Sequence, residues 1–521
     1  MTILDRRIAG LNLPLFSIRS SSDWGVGEFP DLARVAPALE RAGLHALMVL
    51  PLLEPSPGQE SPYSPISAFA LDPLYISLDL LPEMEALGGR AALGDEDRGW
   101  LRAARGAMSV RHDLIRPLKK RWLERCFDRF RADVPAESAR GRDFDAFREA
   151  QGAWLHDYAL FRTLKEHYPL SWRAWPEPLR LRDEATVEAF RAAHAEEILF
   201  REYVQWVAFR QLQVARGKLA ASRIALGGDE PFLVAEDSAD VWAHQEDYRF
   251  DATVGAPPDA FSETGQDWGL PPYRWEKIAA NDYALFRARG EHAARCFDFV
   301  RIDHVVGLYR TYNRPIDGSD EYFVPADEEG QRAQGEAVLR AFGEGGAALI
   351  AEDLGVIPDF VRDSLEQLGI PGFRVLRWEQ RDGRFRLPAS WPPLSVATNG
   401  THDTETTAVW WEALGEHERD LLREEPNLGA LPDSLVVTYN RHVHHALLEA
   451  LYHSPSRLLL IPGQDAFGLR ERINTPNTVG PQNWSWRLPW SLDTMDREDH
   501  VGAALDLLAS FSRASGRLSE R

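Results

Sequence analysis

The stretch Phe299-Val-Arg-Ile-Asp303-His304 decides the fold, because a short apolar run ends there on a carboxylate. Two later stretches repeat the pattern: Ala348-Leu-Ile-Ala-Glu352-Asp353, and Ser395-Val-Ala-Thr-Asn-Gly-Thr-His402-Asp403. A carboxylate that leaves water needs a partner or a chemical role. A contribution to the stability of the fold is therefore a poor explanation for three acids that each follow a buried strand, and a chemical role explains them better.

Short apolar runs of strand length recur along the whole chain. They cover residues 11–18, 46–51, 224–228, 300–304, 349–353, 373–378, 395–398 and 458–462. Segments with helical spacing lie between them, at 31–42, 358–368, 404–423 and 432–452. This alternation predicts an α/β fold, a closed (β/α)8 TIM barrel with parallel strands inside and helices outside. In such barrels the chemistry occurs at the carboxyl ends of the strands.

The chain has 521 residues, more than a minimal barrel needs. We expect a single catalytic barrel over residues 1–521 that carries two insertions. Residues 81–220 have helical spacing and predict a helical insertion subdomain. Residues 236–275 are dense in Pro, Gly and aromatic residues and predict a structured active-site loop rather than a helix.

Charge and cysteine content exclude several classes of protein. The 80 acidic residues outnumber the 59 basic ones, giving a net charge of -21, and no basic cluster is dense enough to follow a phosphate backbone. Nucleic acid is therefore not an expected partner. The chain has two cysteines, and no apolar run near its amino terminus is long enough for a signal peptide or membrane span. We expect a cytoplasmic protein with no membrane contact.

Residue types at the strand ends suggest distinct chemical roles. Residues two apart on a strand share a face, so Arg301 and Asp303 point the same way, and the guanidinium favours the ionised form that a nucleophile needs. Glu352 has no basic residue within five positions. A raised pKa and a general-acid role for Glu352 follow. Retaining glycosidases use such a pair with carboxyl groups roughly 5 to 5.5 Å apart.

The third acid, Asp403, follows His402. This pair could hold sugar hydroxyls whose hydrogen bonds tighten in an oxocarbenium-like transition state. Aromatic faces in the loop insertion suit sugar stacking, and Trp268 and Trp275 lie there in a polar context that disfavours a core role. Together these residues predict a site that cleaves sugar chains.

Two alternatives account for the same residues. In the first alternative, any one of these acids is the N-cap of a turn or helix. In the second, His304 and His402, completed by Asp303, Asp353 and Asp403, would form the ligand shell of a metal-dependent barrel hydrolase. Against the metal site, the chain has no cysteine cluster, and its single His-x-His, at 442–444, lies in a predicted outer helix.

Longer motifs resemble the amylomaltase family, the 4-α-glucanotransferases or disproportionating enzymes of the α-amylase superfamily. The similarity covers almost the whole chain. Its motifs are Ser61-Pro-Tyr63-Ser-Pro-Ile-Ser-Ala-Phe-Ala, Gly228-Asp229-x-Pro231, Asp237-Ser-Ala-Asp-Val-Trp242, the loop at 257–275, Arg301-Ile-Asp303-His304, Ala351-Glu352-Asp353-Leu-Gly355, Gly400-Thr-His402-Asp403, and Asn474-Thr-Pro with Asn483-Trp-Ser-Trp486-Arg487.

The resemblance implies Asp303 as nucleophile, Glu352 as acid/base and Asp403 as transition-state stabiliser. It also implies further residues around the sugar, namely Tyr63, Asp229, Arg301 and His402 at the cleaved unit and Gln266 and Trp268 at neighbouring units. The implied reaction is transfer of α-1,4-glucan segments between maltooligosaccharides, with no cofactor and no metal. The family lacks the carboxyl-terminal β-sandwich of amylases, and residues 458–521 leave room only for a last strand and helix.

The chain departs from the family pattern at several positions. Glu230 replaces a typical Met and adds negative charge near the cleft, Asp72 stands where Asn usually precedes Pro, and Thr404-Glu405 replaces Asn-Asp. These departures concern chain-length preference and acceptor choice. Two rival functions remain at this stage: a hydrolase of the same fold, and a glucan-binding protein without activity.

Overall fold

The computed structural model describes residues 3–258, 265–476 and 478–518. Within these residues the strands are β1 (Ile8–Asn12), β2 (Ala46–Met48), β3 (Ala225–Glu230), β4 (Ala252–Ala256), β5 (Gln266–Leu270), β6 (Phe299–Ile302), β7 (Thr311–Pro315), β8 (Tyr322–Val324), β9 (Ala348–Ala351), β10 (Gly372–Val375), β11 (Gln380–Arg381), β12 (Arg384–Phe385), β13 (Ser395–Thr398) and β14 (Leu458–Pro462).

A closed parallel barrel forms the centre of the molecule. Its strands neighbour one another in the order β1, β2, β3, β6, β9, β10, β13 and β14, and β14 pairs back with β1. Each predicted apolar run contributes one strand, which confirms the (β/α)8 prediction. The strand bounds differ most at the start, where the strand ends at Asn12 instead of Ile18. Pro14 lacks an N–H for the ladder, and Leu15–Ser17 turn as a 3₁₀ helix whose apolar side chains are nevertheless buried.

Alternate side chains of each barrel strand point into the barrel or out to the helices. On β6, Phe299 belongs to the inner cluster, while Val300 and Ile302 pack in the outer core. Gly227 on the neighbouring strand makes room for the Phe299 ring, since a Cβ there would lie 2.1 Å from it. The same alternation carries Arg301 and Asp303 inward above Phe299. The packing of Phe299 inside the barrel therefore determines that Arg301 and Asp303 face the interior at the end of β6.

Helices surround the barrel and fill the first insertion. They are α1 (Phe29–Arg34), α2 (Ala36–Arg41), α3 (Pro82–Ala86), α4 (Asp95–Gly106), α5 (His112–Asp133), α6 (Ala139–His167), α7 (Glu177–Arg180), α8 (Glu184–Ala193), α9 (Ala195–Ala221), α10 (Ala239–Ala243), α11 (Trp275–Ala280), α12 (Ala284–Cys296), α13 (Val306–Tyr309), α14 (Glu328–Gly343), α15 (Asp359–Gln367), α16 (Thr407–Ala413), α17 (Glu416–Leu422), α18 (Pro426–Gly429), α19 (Asp433–Val436), α20 (Arg441–His453), α21 (Gly463–Ala466) and α22 (Asp499–Ala514).

Two predicted outer helices are broken into shorter ones. The segment at 404–423 divides at Gly415, the N-cap of α17. In the segment at 432–452, the Asn440 side chain accepts hydrogen bonds from the N–H groups of His442 and Val443 and so starts α20 afresh. Between β10 and β13 the described chain has a small β11–β12 hairpin and a 3₁₀ turn in place of an α-helix.

The segment from α3 to α9 lies between β2 and β3, and ion pairs to buried carboxylates join it to the rest of the chain. Lys119 on α5 contacts Glu28 at 2.6 Å, and both side chains are 2% exposed. Arg116 Nη2 lies 2.8 Å from Asp72 Oδ2. Asp72, one of the departures from the family pattern, is therefore paired with a cation of the insertion.

The second insertion differs from its prediction, because it contributes two strands, β4 and β5, to a β-sheet besides its loop segments. β4 pairs antiparallel with β5 and with β7, and β7 pairs with β8, giving a four-stranded sheet. Composition alone missed this sheet because two of its strands come from the connection after β6, far along the chain. Exposure alternates along β5, and Gln266, Trp268 and Leu270 are its less exposed residues. Residues 259–264 of the predicted loop lie outside the described residues.

The last described element is α22, which follows β14 after the short helix α21 and a 3₁₀ helix at Leu492–Arg497. Among the described residues, no helix is both long enough and apolar enough to cross a membrane.

Candidate active site

Arg301 lies at the centre of a group of carboxylates at the carboxyl ends of β3, β6 and β9. Its Nη1 contacts Asp229 at 2.7 and 2.8 Å and Asp303 Oδ1 at 2.9 Å. Its Nη2 lies 4.0 Å from Glu352 Oε2. The register of the barrel explains this convergence, because Asp229 and Arg301 are directly paired on neighbouring strands. Three acids therefore share one guanidinium.

A left-handed backbone at His304 orients Glu352. His304 has φ +44°, a region that non-glycine residues rarely adopt, and its N–H donates to Glu352 Oε2 at 2.8 Å. Leu354 N–H donates to the other oxygen at 3.2 Å. Burial and the neighbouring Asp303 charge outweigh the attraction of Arg301 and raise the pKa of Glu352 to about 8. Glu352 thus holds a proton at neutral pH, as the sequence predicts.

A hydrogen-bonded chain runs from Asp403 across the cleft to Arg301. His402 Nε2 lies 3.3 Å from Asp403 Oδ2, and His402 Nδ1 lies 3.3 Å from the Tyr63 hydroxyl. Tyr63 donates to Asp229 Oδ2 at 2.7 Å and stacks on His402 with ring centroids 4.9 Å apart. Asp229 is 0% exposed, so it lies behind Tyr63 and Arg301. Each polar side chain of this hydrogen-bonded series is therefore fixed in place by its neighbour.

Asp403 is the acid whose environment favours the charged form most clearly. Burial opposes its ionisation, but the His402 imidazole and the Asn474 amide outweigh burial and lower the pKa of Asp403 to about 2. Asn474 Nδ2 donates to Asp403 Oδ1 at 2.6 Å. The Asp403 charge in turn raises the pKa of His402 against the effect of burial.

Residues near the carboxyl terminus complete this side of the site. Besides Asn474, Arg472 donates to the Asp403 carbonyl at 2.5 Å, and Trp484 lies 5.7 Å from both the Tyr63 and His402 rings. Reasoning from strand ends missed these residues because they lie in the segment after β14. The available signal was the Asn474 and Asn483-Trp motif, which carried the resemblance but received no role.

The second insertion brings Gln266 and Trp268 to the site. Trp268 Nε1 donates to Gln266 Oε1 at 3.1 Å, and its ring meets the edge of His304 with centroids 4.6 Å apart. Trp275 behaves differently from the expectation. It is 4% exposed, stacks on Phe286, and donates to Thr311 Oγ1 at 2.8 Å, so it is a core residue.

Glu230 does not add free charge to the cleft. Arg289 on α12 contacts its carboxylate at 2.8 Å, and both side chains are buried. Arg289 also donates to the Tyr273 hydroxyl at 2.9 Å. Asp303 N–H donates to the Glu230 carbonyl at 3.1 Å, so the pair lies directly under the acid that follows β6. The expectation of added negative charge is wrong because this cation compensates it.

At the other departure, Glu405 joins two arginines. Arg377 donates to its carboxylate at 2.8 Å, and Arg472 lies 3.8 Å from it. Because Arg472 also holds the Asp403 carbonyl, Glu405 supports the turn that presents Asp403.

The alternative metal shell is not assembled in the described part of the chain. Asp353 turns away from the cleft, accepting from Phe373 N–H at 2.6 Å and pairing with Arg374 at 3.1 Å. His444 contacts the Asp465 carbonyl at 2.8 Å, on the outer helix α20. Among described residues, the group whose donor atoms could share one ion lies elsewhere, on the first insertion.

The arrangement suits double displacement at an anomeric carbon. Glu352, which directly follows β9, has a raised pKa and lies near Asp303, which directly follows β6 and pairs with Arg301 at 2.9 Å. Asp403 supplies a third, ionised carboxylate from the opposite side.

Comparisons with known proteins agree with this reading. A family model described as 4-alpha-glucanotransferase matches residues 13–493. The chain is 36% identical to the 4-alpha-glucanotransferase of Thermus thermophilus, over 86% of this chain and 88% of that protein. It is 30% identical to the enzyme of the same name from Chlamydia pneumoniae, over 93% and 92% of the two chains.

Solved structures show the same similarity. The amylomaltase from Streptococcus agalactiae in complex with acarbose has a TM-score of 0.83 and 25% identity, covering 99% of this chain and 100% of that one. The amylomaltase from Corynebacterium glutamicum has a TM-score of 0.81 and 25% identity, with 97% of this chain and 76% of that one covered. Fold, cleft and sequence similarity agree, and the chain belongs to the 4-α-glucanotransferase family.

Proposed function

We propose that the chain transfers α-1,4-glucan segments from a donor to the 4-hydroxyl of an acceptor glucan or glucose, with retention of configuration. Asp303 is the nucleophile, Glu352 the acid/base and Asp403 the transition-state stabiliser. The observation that carries these assignments is the group around Arg301, where one carboxyl keeps its proton beside another that is paired with the guanidinium.

In the first step Glu352 protonates the glycosidic oxygen while Asp303 Oδ attacks the anomeric carbon. The bond to the leaving sugar breaks, and a covalent glycosyl-enzyme forms with inverted configuration. Glu352 is then a carboxylate and accepts the proton of the incoming 4-hydroxyl. That oxygen attacks the anomeric carbon, Asp303 leaves, and the second inversion restores the α linkage.

The residues on the Asp403 side of the cleft bind the reacting sugar. We assign Tyr63, Asp229, Arg301 and His402 to the sugar that is cleaved. Because Asp229 is 0% exposed and held by Tyr63 and Arg301, it acts by fixing those two side chains. Gln266 and Trp268 are assigned to neighbouring sugar units.

Transfer requires that a sugar acceptor competes with water for the glycosyl-enzyme. Trp268 lies against His304, directly after Asp303, where an indole can exclude water from the intermediate. This placement favours transfer over the hydrolase alternative.

Incubation of the enzyme with maltotriose tests the proposal. A transferase yields glucose together with oligosaccharides longer than maltotriose, which chromatography separates. Glucose and maltose alone would identify a hydrolase, and unchanged maltotriose would identify a binding protein.

The organisation of the chain is also proposed. We infer one catalytic unit over residues 1–521, with the insertion subdomain at 81–220 and the loop insertion at 236–275 belonging to it. Buried pairs such as Lys119 with Glu28 support this unity. The cytoplasmic location stays a prediction from the sequence.

A further inference from the structure

Two histidines and a glutamate converge on the first insertion, away from the cleft. His167 is the last residue of α6, His194 is the N-cap of α9, and Glu197 lies in the first turn of α9. The side chains therefore come from both ends of the segment at 168–193. We call these three residues the His–Glu cluster.

The nitrogen and oxygen donor atoms of the His–Glu cluster lie close to one another. His194 Nδ1 lies 2.8 Å from Glu197 Oε1, and His167 Nε2 lies 2.9 Å from Glu197 Oε2. The two imidazole centroids are 4.2 Å apart. One donor atom from each residue lies within 4.8 Å of the others. Such spacing lets a single small cation contact all three after minor side-chain adjustment.

Phe190 on α8 forms an apolar backing for both rings. It stacks on His194 with centroids 4.2 Å apart and meets His167 edge-on at 5.5 Å. These contacts fix the planes of both imidazole rings.

The partners of Glu197 differ from those of other carboxylates nearby. Glu196 pairs with Arg131 at 3.0 Å, and Asp157 pairs with Arg182 at 2.8 Å. Among the described residues, the ion pairs of Glu197 are with His167 and His194 alone. The carboxylate thus has imidazole nitrogens where its neighbours have a permanent cation. A metal ion held by the two imidazoles and the carboxylate would balance the carboxylate charge.

We propose that His167, His194 and Glu197 bind one Zn²⁺ ion that fastens the end of α6 to the start of α9. Two imidazole nitrogens and one carboxylate form a donor set typical of zinc, whereas Mg²⁺ and Ca²⁺ prefer oxygen ligands. The side chains are 37%, 23% and 46% exposed, which leaves the fourth position to water.

The site would brace a segment that supports the second insertion. Between the two histidines, Trp172 donates to the Glu236 carbonyl at 2.8 Å, and the Leu179 carbonyl accepts from Trp242 at 3.0 Å. Because a metal that binds only the folded state stabilises it, Zn²⁺ raises the melting temperature of the chain. The glucan reaction itself uses none of these three residues.

Titration of metal-free full-length protein with ZnCl₂ by calorimetry tests the proposal. We expect one ion per wild-type chain, and an affinity loss in H167A and E197Q larger than the about ten- to hundredfold that loss of an outer-shell partner costs. Millimolar Mg²⁺ or Ca²⁺ should not compete. Bound Co²⁺ should show the intense visible absorption of a four-coordinate site in the wild type only.

His156→Ala is the matched control. His156 lies on α6 and contacts Glu202 at 2.7 Å, so it offers a His–Glu pair without a second imidazole. H156A should bind Zn²⁺ like the wild type. Because E197Q keeps the size of the side chain, circular dichroism should show it folded, and zinc should raise the melting temperature of the wild type and H156A but not of E197Q. Equal zinc affinity in wild type, H167A and E197Q would overturn the proposal.

Discussion

The barrel mouth and the helical insertion both bury charge, but they compensate it differently. In the mouth, Asp229, Asp303 and Glu352 share the single guanidinium of Arg301. In the insertion each of the following carboxylates has at least one cation to itself: Glu28 has Lys119, Asp72 has Arg116, Glu54 has Arg162, and Glu166 has both Arg201 and Lys120.

This difference separates chemistry from stability. A surplus of buried acid keeps one proton on Glu352, which serves a reaction that needs an acid beside a nucleophile. Burial also raises the pKa of Glu28, to about 7, but its pair with Lys119 serves packing, because it joins α5 to the N-cap of α1. Substitutions in the mouth should therefore reduce turnover with little unfolding, and those in the insertion should do the reverse.

The largest effect is expected at the nucleophile. Asp303→Asn is nearly isosteric and keeps the fold, while turnover of maltotriose falls by several orders of magnitude because the covalent step is lost. Asp298→Asn is the matched control, since Asp298 directly precedes β6 at the opposite end of the barrel and pairs with Arg216 at 2.8 Å. D298N should keep wild-type kcat. Near-wild-type turnover in D303N would remove Asp303 from its role.

Glu352→Gln should have the next largest effect. General acid catalysis contributes about 10²- to 10⁴-fold, so turnover of maltotriose falls by that factor, while a donor with an activated leaving group keeps more of the first step. Comparing the two donors by initial rates checks the assignment. An equal loss on both donors would mean that Glu352 does not protonate the leaving group.

The pKa of Glu352 also predicts how stability depends on pH. Its folded pKa of about 8 exceeds the unfolded value of about 4.3, so between these values the folded state binds a proton that the unfolded state has lost. Raising the pH through this window therefore destabilises the wild type through this group. E352Q lacks the effect, and its free energy of unfolding relative to wild type should rise from pH 5 to pH 8. A difference that stays constant with pH would contradict the raised pKa.

A substitution in the insertion tests whether the ion pairs of that region stabilise the fold without affecting turnover. Lys119→Met leaves Glu28 buried without its cation and should lower the free energy of unfolding by about 3–5 kcal/mol, with kcat of the folded enzyme unchanged. Lys120→Met is the control, because Lys120 is 47% exposed and its pairs should contribute about 0–1 kcal/mol. Urea unfolding measures both. A large kcat loss in K119M would mean that the two regions are coupled.

Sequence patterns could identify residues of one part of the candidate site but not of another, for a physical reason. Arg301, Asp303 and Glu352 could be found because side chains alternate along a strand and parallel strands end at one edge. Asn474 and Trp484 could not be found this way, since no local period relates them to Asp403. The antiparallel sheet of β4, β5, β7 and β8 was hidden for the same reason, because its pairing is set by contacts between separate connections.

Polar neighbours in sequence misled the interpretation where tertiary contacts supplied partners. Glu230 suggested free charge near the cleft, but Arg289 on α12 pairs with it. Trp275 suggested a sugar platform, but Phe286 and Thr311 enclose it. Trp268, seven residues earlier, keeps an edge contact with His304 and remains partly exposed. Burial of an aromatic ring is a property of the fold and cannot be read from the polarity of its segment.

The smallest effect is expected at the edge of the mouth, where Trp268 covers His304. Trp268→Ala removes a platform worth about 1 kcal/mol and admits water to the glycosyl-enzyme, so hydrolysis rises as a fraction of product while total turnover changes less. Chromatography of maltotriose products gives the transfer-to-hydrolysis ratio. Trp100→Ala is the control, because Trp100 is also partly buried but lies on Arg121 in the insertion. An unchanged ratio with a large drop in melting temperature would make Trp268 a packing residue like Trp275, and would assign water exclusion to other parts of the second insertion.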